Sequence, residues 1–114
     1  SDSSQRVEYR VGPADANPYL ALSAALASGL QGIAEGLEPE PMVEGNAYDQ
    51  THSKHLALPQ SLSDATALFK HSRTARSLFG DAFVDHFAAS RQWEASEHRK
   101  HVSDWELQRY FEII

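Results

Sequence analysis

The chain has 114 residues, 41% of them hydrophobic and 23% charged, which is the size and composition of one globular domain. It contains no cysteine, so disulfides, thiolate metal sites and a cysteine nucleophile are excluded. The net charge of -6 gives no broad attraction for nucleic acid or for an anionic membrane, and we expect neither as a partner. No run approaches the roughly 20 apolar residues that span a bilayer. We expect no secretory leader and a cytoplasmic location.

The N-terminal residues predict a short β-strand. Residues 1–5 are polar, and we expect them to be disordered. From Arg6 to Val11, charged and apolar residues alternate strictly, which is the period of a half-buried strand. Its charged face would carry Arg6, Glu8 and Arg10, with neighbouring side chains about 7 Å apart.

A long helix is predicted next, from Pro18 to about Gly36. Asn17 can cap the first amides, and proline is favoured at the first helical position. Large apolar side chains recur at helical spacing and predict a core stripe, made of Leu22, Leu26, Leu30, Ile33 and Leu37. A second stripe of small side chains consists of Ala21, Ala25, Ser28 and Gly32. Because both stripes can pack, the helix is expected to be central to its fold.

Residues 38–60 read as a long connection, and helices follow it. Capping serines predict helices from Ser61 to about Lys70 and from Ser72 to Phe79. A longer helix is predicted over residues 81–100, and the capping-box sequence at residues 103–106 predicts a last one. The expected fold is mainly α, with four to five helices and one N-terminal β-strand.

The charged face of the predicted strand is the best candidate for a binding site. Two guanidinium groups would flank one carboxylate on it. Guanidinium groups match phosphates and carboxylates in bidentate geometry, and carboxylate oxygens are hard ligands for Mg²⁺ or Mn²⁺. Such a face could hold a nucleotide phosphate, a divalent cation and an acidic substrate. The alternative is a solvated strand face with a weak Arg–Glu pair.

Several motifs resemble the glutamine synthetase family, in the family's own order. The segment R-V-E-Y-R at residues 6–10 is similar to its R-x-E-x-R strand, and N-P-Y-L at residues 17–20 to the helix start that follows. Further similar segments are G-N-A-Y-D at 45–49, L-P-Q-S-L at 58–62 and L-F-G-D-A-F-V at 78–84. S-D-W-E at residues 103–106 resembles the ending of the branch that joins glutamate to polyamines or other amines.

The resemblance implies roles for three residues. Glu8 matches a carboxylate ligand of an active-site divalent cation, Mg²⁺ or Mn²⁺. Arg10 matches the arginine that contacts glutamate and its activated γ-carboxyl group. Arg6 matches an arginine near the phosphates of ATP. The implied reaction is ATP-dependent formation of γ-glutamyl phosphate, followed by attack of ammonia or an amine.

The resemblance also implies that residues 1–114 are the C-terminal part of a larger α+β catalytic domain. The expected partners are the remainder of that domain, an N-terminal β-grasp domain and further subunits of a homo-oligomer. Without them we expect the isolated chain to be inactive, to bind ATP weakly and to expose an apolar patch.

Two other functions stay open on the sequence. One is a non-catalytic helical module that keeps this part of an enzyme for binding. The other is a small metal-binding protein that uses the pairs His52 with His55 or His98 with His101, although solvated histidines are the simpler reading. The aromatic side chains near the C-terminus could form a partner surface, but we expect core packing for Trp93, Trp105, Tyr110 and Phe111.

Overall fold

The computed structural model describes residues 2–6, 8–51 and 53–113, and it separates into two compact units, residues 1–47 and 48–114. Its α-helices are α1 (Pro18–Glu35), α2 (Leu62–His71), α3 (Arg73–Phe79), α4 (Asp81–His98) and α5 (Asp104–Tyr110). Short 3₁₀ turns lie at Asp2–Ser4, Ala47–Asp49 and Lys54–Leu56. The prediction of a mainly helical fold with four to five helices is confirmed.

The predicted N-terminal strand is not confirmed. No strand is present in the described ranges, and Val7, in the middle of the predicted strand, lies outside them. A strand forms only when its backbone groups pair with a neighbour, so an alternating segment without such a neighbour stays irregular. The strand therefore stays a prediction for the chain in a larger sheet.

The first unit is built around α1, whose ends are set by local chemistry. The side chain of Asn17 accepts hydrogen bonds from the amides of Tyr19 and Leu20, at 3.0 and 3.3 Å. Gly36 ends the helix in the left-handed conformation, with φ at 61°, and its N–H donates to helix carbonyls. The bounds predicted from the sequence are confirmed to within one residue.

The apolar stripe of α1 is not buried in this chain. Its large side chains are 57–79% exposed, and they are Leu22, Leu26, Leu30, Ile33 and, just beyond the helix, Leu37. No residue of α1 is buried. The prediction that this stripe forms a core is therefore wrong for the described part of the chain.

The second unit has its core between α2, α3 and α4. Val84 and Ala88 of α4 are fully buried, with Ala75 of α3 and Thr66 of α2 beside them in the core. The hydroxyl of Thr66 donates to the carbonyl of Leu62 at 2.6 Å, so burial leaves it no unsatisfied donor. Phenylalanine rings from the three helices border the core at centroid distances of 5.7–5.8 Å, in the pairs Phe69–Phe87, Phe79–Phe83 and Phe83–Phe87.

The side chain of one arginine, Arg76, links α3 to α4 through two ion pairs. The guanidinium group of Arg76 donates to Asp81 at 2.7 Å, to Asp85 at 2.6 Å and to the carbonyl of Lys70 at 3.0 Å. Its hydrogen bonds with Asp85 and Asp81 raise the pKa of Arg76, and the Arg76 hydrogen bond holds the pKa of Asp85 below its ordinary value. Gly80 forms the corner between the helices with φ at 81°.

The last helix, α5, is defined by its capping box. The Ser103 hydroxyl accepts from the amide of Glu106 at 3.2 Å, and the Glu106 carboxylate accepts from the amide of Ser103 at 2.8 Å. The hydrogen bonds from the Ser103 backbone and hydroxyl lower the pKa of Glu106. This capping box is the one that the sequence predicts.

Core packing of the C-terminal aromatic residues is not observed. These side chains are 52–79% exposed, and they are Trp93, Trp105, Tyr110 and Phe111. Trp105 and Tyr110 touch only edge to face, with ring centroids 6.0 Å apart. The prediction of core packing is wrong for the described residues: α5 buries none of its residues, and Trp93 lies on an exposed position of α4. Among the described residues, no helix is both long and apolar enough to cross a membrane.

Truncation of the buried valine should destabilise the second unit. Val84→Ala removes two methyl groups from a fully buried site, and we expect the free energy of unfolding to fall by about 1–2 kcal/mol. Urea unfolding followed by circular dichroism measures this change. Val102→Ala is the matched control, because Val102 is 64% exposed and its truncation should leave the midpoint unchanged. Equal losses in both variants would contradict the assigned core.

Acidification should loosen α5 through Glu106. Its folded-state pKa lies below the ordinary value of 4.5, so its contribution to the helix is complete above that pH. The contribution is lost as the pH falls through the lowered pKa, because the carboxylate then takes up a proton. Amide NMR shifts of α5 between about pH 7 and pH 2 measure this. Glu106→Gln should abolish the transition and Glu112→Gln should keep it; persistence in Glu106→Gln would contradict the assignment.

Candidate functional site

The structure brings two of the three predicted site residues together. The Nε and Nη2 atoms of Arg10 both lie 2.5 Å from Oε1 of Glu8. The two side chains therefore lie on the same side of the segment. Arg6 is exposed, and within the described ranges Glu8 pairs with Arg10 and not with Arg6.

The Glu8–Arg10 pair is open to solvent. The side chain of Glu8 is 53% exposed and that of Arg10 is 82% exposed. Exposed ion pairs contribute little to stability, because water competes for both partners and the long side chains lose freedom. Either group can therefore exchange its partner for a ligand of opposite charge at a low cost in free energy.

Glu8 cannot form a cation site by itself. Mg²⁺ takes about six oxygen ligands, and one carboxylate supplies at most two of them. In the part of the chain that the structure describes, no three side chains of His, Cys, Asp or Glu lie in a group that could hold a metal ion. The residues present therefore do not fit a complete Mg²⁺ or Mn²⁺ site, and Glu8 could provide only one of its ligands.

A short turn connects the site segment to α1. The amide of Ala16 donates to the carbonyl of Pro13 at 3.1 Å, which closes the turn. Asn17 then caps α1 directly after it. The position of Arg10 is thus tied to the N-terminus of α1 by residues 11–17.

The histidine pairs do not form a metal site in the described residues. His98 and His101 line a cavity of about 510 Å³ together with Glu94, Glu97 and Ser103. Glu97 pairs with Lys100 at 2.6 Å. His52 and the side chain of His55 lie outside the described residues. Among the described residues, the pair His98 and His101 therefore has no complete set of metal ligands.

Sequence reasoning did not identify the Arg76 cluster. The spacing of Asp81 and Asp85, four residues apart at the start of α4, was the available signal, because such residues share a helix face. The contacts of Arg76 join α2, α3 and α4 of the second unit and serve the fold.

A family model and individual relatives both match the chain, and they point to the same family. A sequence model of the glutamine synthetase catalytic domain matches residues 1–110. The chain is 42% identical to a glutamate–isopropylamine ligase from a Pseudomonas species, over 98% of this chain and 24% of that protein. It is 42% identical to type-1 glutamine synthetase 2 of Dictyostelium discoideum, over 96% of this chain and 21% of that protein.

A third relative is named for a γ-glutamyl amide other than glutamine. It is the gamma-glutamylethanolamide synthetase of Streptomyces coelicolor, 40% identical over 96% of this chain and 23% of that protein. The chain thus spans about a quarter of the length of the curated relatives that it matches. No solved structure matches. The match over residues 1–110 confirms what the sequence motifs indicate: the chain belongs to the glutamine synthetase family, as part of its catalytic domain.

Proposed function

We propose that the chain is the C-terminal part of an ATP-dependent ligase that joins the γ-carboxylate of glutamate to ammonia or an amine. The observation that carries this proposal is the match of residues 1–110 to the catalytic domain of glutamine synthetase. Two of the relatives are named for isopropylamine and ethanolamide chemistry, which favours an amine acceptor beside ammonia.

The proposed reaction has two steps. A γ-carboxylate oxygen of glutamate attacks the terminal phosphorus of ATP, and ADP leaves with the electrons of the broken P–O bond. The amine then attacks the carbonyl carbon of γ-glutamyl phosphate, loses a proton, and inorganic phosphate leaves. Both steps depend mainly on positioning the reacting groups and on neutralising negative charge. Guanidinium groups can contribute to both.

The roles of the site residues follow from this scheme. Arg10 would contact glutamate and stabilise the negative charge on its activated γ-carboxyl group. Arg6 would lie near the phosphates of ATP. Glu8 would be one oxygen ligand of a divalent cation whose remaining ligands come from outside the described residues. The exposed and easily separated Glu8–Arg10 pair supports these roles, because both groups can turn to ligands.

Further parts of the ligase belong to the same proposal. The remainder of the catalytic domain and a β-grasp domain would complete the site, and the full-length enzyme would be a homo-oligomer located in the cytoplasm. The competing function is a non-catalytic helical interaction module. The exposed apolar side chains of α1 favour a partner of some kind and are compatible with either function.

The isolated chain should not bind ATP tightly. It supplies one carboxylate ligand and two site arginines, so neither the cation nor the phosphates would be enclosed. Titration calorimetry of the 114-residue chain with MgATP should therefore show no micromolar binding. Micromolar affinity that disappears in Arg6→Ala would mean that the chain carries a complete nucleotide site.

A chimera tests the ligase function directly. This chain replaces the matching quarter of the Pseudomonas glutamate–isopropylamine ligase, and phosphate release is measured with glutamate, MgATP and an acceptor. Ammonia, isopropylamine and ethanolamine serve as acceptors in separate assays. We expect glutamate-dependent turnover, and a loss of about 100-fold in Glu8→Gln and in Arg10→Lys, because each removes a charge or a bidentate contact at the reacting groups.

Conservative substitutions elsewhere provide the controls. Glu40→Gln and Arg73→Lys make the same chemical changes at exposed positions outside the proposed site and should keep full turnover. A folded chimera without turnover would contradict the ligase function. Full turnover in Glu8→Gln or Arg10→Lys would contradict the role assigned to that residue.

A further inference from the structure

Helix α1 has the composition of an internal helix. Between Pro18 and Ala34 it contains no Asp, Glu, Lys or Arg, and Glu35 is its first charged residue. A surface helix carries charged side chains on the face opposite its apolar stripe, whereas a helix without such a face is normally buried all round. In this chain, however, its large apolar side chains are 57–79% exposed, namely Leu22, Leu26, Leu30 and Ile33.

The other side of α1 is also shaped for contact. Its side chains there are small: Ala21, Ala25, Ser28 and Gly32. A Cβ atom placed on Gly32 would meet nothing within 4 Å, so the space over this side is open. Small side chains allow the backbone of another element to approach closely, which large ones would prevent. Ser28 is exposed and the other three residues of this stripe are half-buried, so neither stripe of α1 is fully covered.

The missing cover is best supplied by the rest of the polypeptide. The relatives devote only 21–24% of their length to the part that this chain matches, so about three quarters of each lies outside it. A second copy of this chain, bound through a two-fold contact, would bury one self-complementary patch and leave the opposite side of α1 in water. Only a surrounding domain covers both stripes.

We propose that α1 is an internal helix of the full-length ligase, with both of its stripes covered by the rest of the same catalytic domain. This inference rests on the proposed function. The covering surface is apolar and uncharged, because a charge buried against this helix would have no partner on it. Cover on two sides would also fix the helix rigidly in the domain.

Docking of α1 has a consequence for the candidate site. Residues 11–17 are all that separates Arg10 from the capped start of α1. Fixing α1 therefore limits where Glu8 and Arg10 can lie, although no residue of α1 need touch a substrate. In this sense α1 is a positioning element for the segment that carries the proposed chemistry.

Cysteine labelling tests the proposal without relying on activity. The chain has no cysteine, so Leu26→Cys and Ala25→Cys each introduce one thiol on one of the two stripes. The alkylation rate with iodoacetamide is measured by peptide mass spectrometry in the dilute 114-residue chain and in the full-length chimera. We expect both thiols to react at least about tenfold more slowly in the chimera. Glu40→Cys, in an exposed loop, is the control and should react equally in both.

The outcomes separate this inference from the proposed function. Protection of both thiols in a folded but inactive chimera would support the docking of α1 and contradict the ligase function. Equal reactivity of the Leu26→Cys thiol in the chimera and in the dilute chain would overturn the docking, even with full turnover. Protection that appears in the 114-residue chain as its concentration rises, and reaches the level of the chimera, would assign the cover to a second copy and also overturn it.

Hydrogen exchange of the 114-residue chain gives a second test that needs no chimera. If the cover of α1 lies outside the chain, its backbone amides should exchange at least about tenfold faster than those of α4, whose Val84 and Ala88 are buried. The sample is kept dilute, and its monomeric state is checked by sedimentation. Amides of α1 that are protected as strongly as those of α4 would show that the chain already contains the partner of α1, which contradicts the proposal.

Discussion

Apolar burial in residues 48–114 is concentrated at α4, where Val84 and Ala88 lose all contact with water. The three helices α2, α3 and α4 meet there, and the phenylalanine rings around them extend the same core. Since burial of apolar surface is the main favourable term in folding, this is where the chain's own sequence is sufficient to hold a tertiary structure. The stability of this unit depends on that contact. The ion pairs of Arg76 with Asp81 and Asp85 additionally link α3 to α4.

The candidate site lies in the other unit, where the chain buries no residue of α1. Among the described residues, the contacts that hold the segment of Arg6, Glu8 and Arg10 include a local ion pair, a turn and a helix cap. Local contacts fix the side on which two neighbouring side chains lie, but they do not enclose a ligand. Enclosure requires walls from several elements, and charge neutralisation in a water-excluded site is far stronger than in solvent.

The openness of the candidate site matters for the function that we propose. An acyl phosphate reacts with water as well as with an amine, so an enzyme that forms one gains from a closed site. In the proposed ligase, groups from outside this chain would enclose the site. The carboxylate of Glu8 and the guanidinium group of Arg10 would then have better partners than each other, because enclosed ionic contacts lose less to water than exposed ones.

The sequence alone determined the features that arise from contacts between near neighbours. The ends of α1 follow from Asn17, Pro18 and Gly36, and the start of α5 follows from its capping box. These are local because each depends on hydrogen bonds or geometry spanning only a few residues. Family membership was also readable from the order of short motifs.

Only the tertiary structure decided which apolar faces are buried. Apolar spacing at helical period predicts the same thing for Leu26 of α1 and for Val84 of α4, yet one side chain is 66% exposed and the other has no exposure. The pattern shows that a face is built to pack, but whether a partner is present depends on elements distant in sequence. The same reason applies to the predicted strand of residues 6–11, whose backbone could pair only with a neighbouring strand, and to Arg76, whose two carboxylate acceptors lie on the next helix.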